Sequence, residues 1–442
     1  MTGMNNVLVL GAGMVSKPLV VHLLKNNFKV KVASRTVSKA ETLIKGFSNG
    51  TAESLNVNDE THLERLIAGC DLAISLVPYT HHVQIAHLCL KHKKHLITTS
   101  YVSKAMQDLD QAAKSAHLCF LNEIGLDPGI DHMSAMRVIH DVEKRGGKIV
   151  SFQSYCGGLP AMRNNNNPFG YKFSWSPRGV VMAGRNSGQY IQDGRVVFIP
   201  SKDLFKNYEI IDIEGVGSFE AYTNRNALPY KELYGLKNAH TVFRGTLRNI
   251  GWCYTMKKAA ELGLFDDTPR EDLQKLTYHD LIIILIGAEK SDDIISDTAH
   301  FLGLEKYDTV IQKFRWLGLF EPVPLPPENN VMDMFCYLLQ KKLILKENDL
   351  DLIILYHRFI AQYKNKKQLI TSLLVDEGVP DGDSAMSRTV SLPAAIAAVM
   401  ILQGKINMPG VHIPVHPSIY TPVLDQLEKT GLKFIDKTAD IK

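Results

Sequence analysis

Residues 7–18 read Val-Leu-Val-Leu-Gly-Ala-Gly-Met-Val-Ser-Lys-Pro, a short apolar run that closes on Gly11-Ala12-Gly13-Met14-Val15-Ser16. An apolar strand that turns through two glycines into a helix start is built to hold phosphate. Gly11 permits the tight turn, and Gly13 lets the backbone approach a pyrophosphate at the N-terminus of the helix. Ser16 occupies the third small position, where glycine is commoner, and still allows close packing of helix on sheet. Alone this motif also fits an ordinary strand-to-helix turn. Its place at the head of an alternating β and α pattern points to a dinucleotide.

That pattern runs outward from the turn to about Asn122: VLVLG, Lys17 to Asn26, KVKVAS, Ser38 to Gly46, LAISLVP, Thr80 to His92, HLITTS, Ala105 to Ala116, CFLNEIG. Strands alternating with helices of this length imply βαβ units and a parallel sheet covered on both faces. The fold class is therefore α/β, a doubly wound sheet whose ligands bind at the carboxyl ends of its strands. After Asp131 a helix (His132 to Lys144) leads into Gly-rich and aromatic segments with turn signals such as CGGLP, SPRG and QDGR, an α+β pattern. From about Gly251 to Leu345 helical patterns dominate, with caps expected at Thr268-Pro269 and Ser291-Asp292. DLDLIILYHRF and KQLITSLLV read as strands returning to the second domain, and a helix from Ser387 to Leu402 precedes a βα-like tail. The expected division is 1–130 with 386–442, 131–250 with 346–385, and 251–345.

The chain's 442 residues allow more than one core. Its 50 basic and 46 acidic residues leave a formal charge of +4, without the basic blocks of a nucleic-acid footprint. The apolar run after Met1-Thr-Gly-Met-Asn-Asn is too short for a signal core, and no later run reaches the roughly 18 uninterrupted apolar residues of a membrane helix. A cytoplasmic location is expected. Six scattered cysteines without a CxxC pair are expected to be reduced and mostly buried. Asp127, His132 and Cys156 lack the local spacing of a structural zinc site, so no metal is expected.

The second strand ends in Ser34-Arg35-Thr36, 23 residues beyond Gly11 for its first member. A site for NAD usually places a carboxylate there to accept from the ribose 2′-hydroxyl, whereas an arginine accommodates the 2′-phosphate of NADP. Arg35 can pair with that phosphate, with the Ser34 and Thr36 hydroxyls donating alongside. The expected cofactor is NADP. A solvated surface arginine is the plain alternative.

Three further stretches are dense in chemistry. Thr98-Thr99-Ser100-Tyr101 follows a strand, so its hydroxyls either face the cofactor crevice or lead into a helix capped by Ser103. In Asn122-Glu123-Ile124-Gly125-Leu126-Asp127-Pro128-Gly129-Ile130-Asp131-His132, Asp131 reads as a helix N-cap. Asp127, ahead of a proline, is biased to an extended backbone with its carboxylate toward the crevice. His132 is either an oriented base or a first-turn residue. Ser154-Tyr155-Cys156-Gly157-Gly158-Leu159-Pro160 places Cys156 at a strand end, as an active-site thiol or as a small apolar filler.

GAGMVSKP, ASRT, SLVPYT, TTSYVS, NEIGLDPGIDH, SYCGGLP, GYKFSWSPRG, NRNALPYKE, FRGTLR and SAMSRTVSLPAAIA, in this order, resemble the saccharopine reductase family, the glutamate-forming saccharopine dehydrogenases. The resemblance implies a variant Rossmann domain, an α+β domain that binds substrate and forms a homodimer, and a helical domain. It implies reversible, NADPH-dependent joining of glutamate to 2-aminoadipate 6-semialdehyde, giving saccharopine in lysine metabolism. Cofactor contacts are implied for Gly11, Ala12, Gly13, Met14, Ser34, Arg35, Thr36, the strand-end residues Asn56, Leu76 and Thr98, for Gly125, Leu126 and Asp127, and for Trp175. Substrate contacts are implied for Thr99, Ser100, Tyr101, Asp127, Arg225, Thr246, Leu247 and Arg248.

Saccharopine carries three carboxylates, so its site needs cations, which Arg225 and Arg248 supply unless they form ordinary ion pairs. Oxidation of its secondary amine needs a base. Asp127 is the first candidate, with Tyr101 and Cys156 as polar partners. Two other readings are a related amino-acid or polyamine imine reductase, which would bind fewer carboxylates, and a non-catalytic NADP-binding sensor.

Overall fold

The computed structural model describes residues 5–441, and the apolar run after Met1-Thr-Gly-Met-Asn-Asn, too short for a signal core, forms a strand within it. The chain divides into two compact units, one running to Ile149 and resuming at Ile360, the other spanning Val150–Phe359.

The first unit opens on β1 (Asn6–Leu10), α1 (Lys17–Lys25), β2 (Lys29–Ser34), α2 (Val37–Ile44), β3 (Gly50–Ser54), α3 (Glu60–Ala68) and β4 (Leu72–Ser75). It continues through α4 (His82–His92), β5 (His95–Thr98), α5 (Lys104–Gln107), α6 (Asp110–Ser115), β6 (Cys119–Leu121) and α7 (Ile130–Lys144). The sheet order is Gly410–His412, β6, β5, β4, β1, β2, β3, every pair parallel, which is the doubly wound α/β sheet expected. The central strands are buried on both faces, which is why they read as continuous apolar runs. Leu8, Leu10, Ala73, Leu96 and Phe120 share one core with Leu63, Leu66 and Ile67 of α3 and Ile85 and Ala86 of α4.

The strand β3 and helix α3 are not among the elements read from sequence. GTAES lies at the sheet edge, half exposed, and so carries no apolar alternation. The strand ending at Thr98 is consequently the fifth in the chain. The helix Ala385–Leu402 is long and apolar enough to cross a membrane, but most of it is buried inside this unit, where it packs against α1. In the same unit Lys367–Glu377 pairs antiparallel with Ile435–Ile441.

The second unit carries strands in the order Tyr208–Ile213, Gly217–Thr223, Thr241–Arg248, Lys148–Pro160, Asp351–Gln362. Thr241–Arg248 runs antiparallel to Gly217–Thr223 and parallel to Lys148–Pro160. Helices Trp252–Glu261, Tyr278–Leu285, Ile294–Phe301, Thr309–Leu317 and Val331–Lys342 follow in the span read as helical. Their caps differ from those expected. Thr277 and Asp280 form a capping box, and Asp293, one residue past Ser291-Asp292, caps the next helix. SPRG, read as a turn, begins the helix Pro177–Ala183 with Ser176 as its cap. The six cysteines are all buried, and among the described residues none forms a disulfide.

Candidate active site

In the first unit the carboxyl ends of β1, β2, β4 and β5 gather most of the residues singled out from sequence. Gly11 has φ +114, and a Cβ there would meet the Leu76 backbone oxygen at 3.1 Å. Glycine is therefore required by both conformation and space. A Cβ on Gly13 would meet nothing within 4 Å, so the space above it is open for a ligand. Ser16 is fully buried, and its hydroxyl accepts from the Gly13 amide (3.0 Å) and donates to the Gly11 carbonyl (3.3 Å). This serine thus locks the turn while remaining small enough to pack under it. Met14 is exposed, and among the described residues no acceptor meets the Met14 and Val15 amides. Open space, amides without acceptors and a helix start fit a pyrophosphate.

Beside this turn the Gly11 amide donates to the Ala33 carbonyl at 2.8 Å, which places Ser34-Arg35-Thr36 at the neighbouring strand tip. Arg35 is exposed, and among the described residues no carboxylate pairs with it. Asn56 lies just beyond β3 and is exposed, and Leu76 follows β4, its amide bonded to the Leu10 carbonyl at 2.9 Å. An arginine without a partner and no acid at this tip suit a ribose 2′-phosphate better than a free 2′-hydroxyl.

The tips of β5 and β6 are stitched together. The amides of Glu123 and Ile124 donate to the carbonyls of Ser100 (3.2 Å) and Thr98 (3.3 Å), and Val102 donates to Glu123 Oε1 (2.9 Å). The buried Thr98 hydroxyl donates to Asn122 Oδ1 at 3.1 Å. Gly125 is tightly enclosed, since a Cβ there would meet the Pro128 carbonyl oxygen at 3.1 Å and Thr99 at 3.2 Å. Across this seam the Tyr101 hydroxyl donates to Asp127 Oδ1 at 2.9 Å, and both side chains are only partly buried. A carboxylate with a phenol donor at a strand tip can accept and hold a proton.

Two readings of this loop change. Asp131 is not the cap of α7. Gly129 takes that position with φ +147, so the helix starts two residues earlier than expected and the Asp131 carboxylate accepts from the Gly129 amide at 2.6 Å. His132 is fully buried, with Nε2 2.8 Å from Glu123 Oε2, a brace under the loop and not an exposed base. Ser103 does cap α5, accepting from the Met106 amide at 3.1 Å.

In the second unit the strand register aligns Thr246 with Cys156 on one side and with Tyr222 on the other. Thr246 and Arg248 point to one face of the sheet, and Leu247, fully buried, to the other. Arg248 is 4% exposed, and its guanidinium lies 5.0 Å from the Tyr171 ring and 5.6 Å from that of Trp252. Its cross-strand neighbour Glu220 is engaged elsewhere, accepting from the Gly251 (2.8 Å) and Cys253 (2.7 Å) amides at the start of a helix. Arg248 therefore has no carboxylate among the described residues, and its Nε lacks a partner. Its Nη1 donates to the Leu247 carbonyl at 2.8 Å, and among the described residues no anion balances this buried, permanently charged group, which suits an anionic ligand. Burial pushes the Tyr222 phenol up to about 12, so it remains a neutral donor nearby. Arg225 is exposed on the turn after Gly217–Thr223 with φ +58, and Trp175 is half-buried against the helical core.

The sequence reading passed over His82 and Ser75, which bond to one another at the tip of β4, and over the aromatic cage of Tyr171 and Trp252. Neither has a local signal, because each depends on residues brought together by the fold.

Comparison with known families decides what these features belong to. Residues 7–121 match the saccharopine dehydrogenase NADP binding domain, and residues 125–432 match the saccharopine dehydrogenase C-terminal domain. The chain belongs to the saccharopine dehydrogenase family. Within this family it is 39% identical over 450 residues to saccharopine dehydrogenase [NADP(+), L-glutamate-forming] of Schizosaccharomyces pombe, covering 99% of this chain and 100% of the relative. The protein of that name from Pyricularia oryzae is 38% identical over 443 residues, covering 98% of each chain. The solved apo saccharopine dehydrogenase (L-Glu forming) from Saccharomyces cerevisiae superposes with a TM-score of 0.90 at 36% identity, covering 98% of this chain and 100% of that one.

Proposed function

We propose that this member of the saccharopine dehydrogenase family is an NADP-dependent, glutamate-forming saccharopine dehydrogenase. It interconverts saccharopine, water and NADP+ with glutamate, 2-aminoadipate 6-semialdehyde, NADPH and a proton. The observation that carries the substrate assignment is Arg248, a buried guanidinium left without a carboxylate in a chain whose relatives bear this name. A substrate with three carboxylates supplies the missing anion, and an imine reductase for a substrate with fewer has less need of it.

The turn at Gly11 to Met14 would hold the NADP pyrophosphate, and Arg35, with Ser34 and Thr36, the 2′-phosphate. Ala12, Asn56, Leu76, Thr98, Gly125, Leu126 and Trp175 belong to the same proposed set of cofactor contacts. When bound, NADP supplies the hydride acceptor for oxidation, and NADPH the donor for the reverse. The rest falls to the chain. The secondary amine must lose its proton before its lone pair can assist oxidation at the neighbouring carbon, and Asp127 is the group assigned to take it. Tyr101, already donating to that carboxylate, holds it in place between turnovers. Water then adds to the imine carbon, its proton again passing to a base, and the C–N bond breaks to release glutamate and the aldehyde. Thr99, Ser100, Arg225 and the Thr246 to Arg248 strand bind the substrate's carboxylates and amines, with Cys156 beside Thr246. The three-part domain division, a homodimer and a cytoplasmic location form part of this reading.

The test is the absorbance at 340 nm of purified protein with saccharopine and either NADP or NAD. Turnover with NADP well above that with NAD is expected. No turnover with either rejects the assignment and leaves the NADP-binding sensor.

A further inference from the structure

Outside the residues already assigned, one buried polar relay ends on the substrate loop. Ser75, the last residue of β4, is fully buried, and its hydroxyl lies 2.9 Å from His82 Nδ1. His82 opens α4 at 5% exposure, and its Nε2 lies 3.0 Å from the Ser100 hydroxyl, two residues past β5. Burial, with His81 adding to it, lowers the His82 pKa to about 4, so the ring is neutral in ordinary buffers.

A neutral imidazole has one N–H and one lone pair, so the two bonds run in a single direction. The direction follows from Ser75. Among the described residues His82 is the side-chain partner of this buried hydroxyl, and a buried hydroxyl proton without an acceptor is costly. Ser75 therefore donates to Nδ1, Nε2 carries the hydrogen, and Ser100 accepts. The Ser100 backbone is fixed separately, because its carbonyl accepts from Glu123 and Val102 donates to the Glu123 carboxylate that His132 braces. What remains free is the rotation of the Ser100 hydroxyl, and accepting from His82 leaves its own proton to point away from the relay.

We propose that His82 is a positioning residue that turns the Ser100 hydroxyl into a hydrogen-bond donor toward a substrate carboxylate. The inference rests on the reading above that Ser100 touches saccharopine.

The experiment compares initial rates and melting temperatures of wild type, His82→Phe, His82→Gln, Ser100→Ala and the His82→Phe/Ser100→Ala double variant. Loss of an oriented donor to a charged group is expected to raise the saccharopine KM about tenfold in His82→Phe, with kcat and the NADP KM within about twofold. His82→Gln, which keeps an N–H toward Ser100, is expected to recover to within about threefold of wild type. The double variant is expected to be no worse than Ser100→Ala alone, because both changes remove one interaction. An unchanged saccharopine KM in His82→Phe, or effects that add in the double variant, overturns the assignment. If His82→Phe does not fold, Ser75→Ala carries the test, with about a threefold rise in saccharopine KM that vanishes in the Ser100→Ala background. No rise there overturns it equally. A wild type inactive on saccharopine removes the functional reading itself, whereas an active wild type with an indifferent His82 removes only this inference.

Discussion

Replacing Arg248 with methionine separates a binding arginine from a structural one, because the two roles predict opposite outcomes. Where a buried arginine is paired with a carboxylate of the fold, truncation leaves an uncompensated charge and costs about 3–5 kcal/mol. Among the described residues Arg248 has no such partner, so Arg248→Met leaves no carboxylate behind. It forfeits cation–π contacts at 5.0 and 5.6 Å, worth about 1 kcal/mol each, but it also removes a buried charge and an Nε without a partner. The expected net change in unfolding free energy is within about 1 kcal/mol of wild type. Substrate binding should fare very differently. Losing a desolvated contact to a carboxylate costs about 2–5 kcal/mol, and a middle value near 3 kcal/mol raises KM about 150-fold. Denaturant unfolding and saccharopine initial rates at saturating NADP measure the two quantities on one preparation. A variant destabilised by about 3 kcal/mol or more with an unchanged KM would refute the reasoning, since Arg248 would then serve the fold.

Other expectations follow from the same geometry. Arg35→Asp places a carboxylate at the tip of β2, and the ratio of kcat/KM for NADP over NAD should fall by at least about 100-fold, measured with both cofactors. Asp127→Asn keeps a partner for Tyr101 but removes the proton acceptor, so kcat should drop about 10²-fold, less than the upper range because a substrate amine can relay protons. His82 takes up a proton near pH 6.5 when unfolded and near pH 4 when folded, so the unfolded state binds more protons between those values. Stability should fall as pH drops through that window, by roughly 3 kcal/mol at most, and His82→Phe should lose that component in urea melts at pH 7 and pH 4.5.

The parts legible in the sequence were those set by local rules. The turn at Gly11 and Gly13 was readable because a positive φ and a close backbone approach demand glycine. The inner strands were readable because burial on both faces leaves apolar runs. The edge strand β3 was not, since its outer side needs no apolar residue, and that omission shifted the count of the strand ending at Thr98. Asp131 was misread because the rule that an acidic residue caps a helix competes with a glycine at Gly129, whose conformation starts the helix earlier. Arg248 could be suspected as a cation, but its isolation depends on Glu220 being claimed by a helix start 31 residues away. His82 gave no signal at all, because its partners lie 7 residues before it and 18 after it.

The measurement that bears most directly on the proposed activity is the reductive direction followed by mass spectrometry. Protein, NADPH and 2-aminoadipate 6-semialdehyde are incubated with and without glutamate, and saccharopine and NADPH are quantified together. Saccharopine formed in equal amount to the NADPH consumed, and only when glutamate is present, is the expected result. Consumption of NADPH without glutamate, or no saccharopine with it, would contradict the assignment.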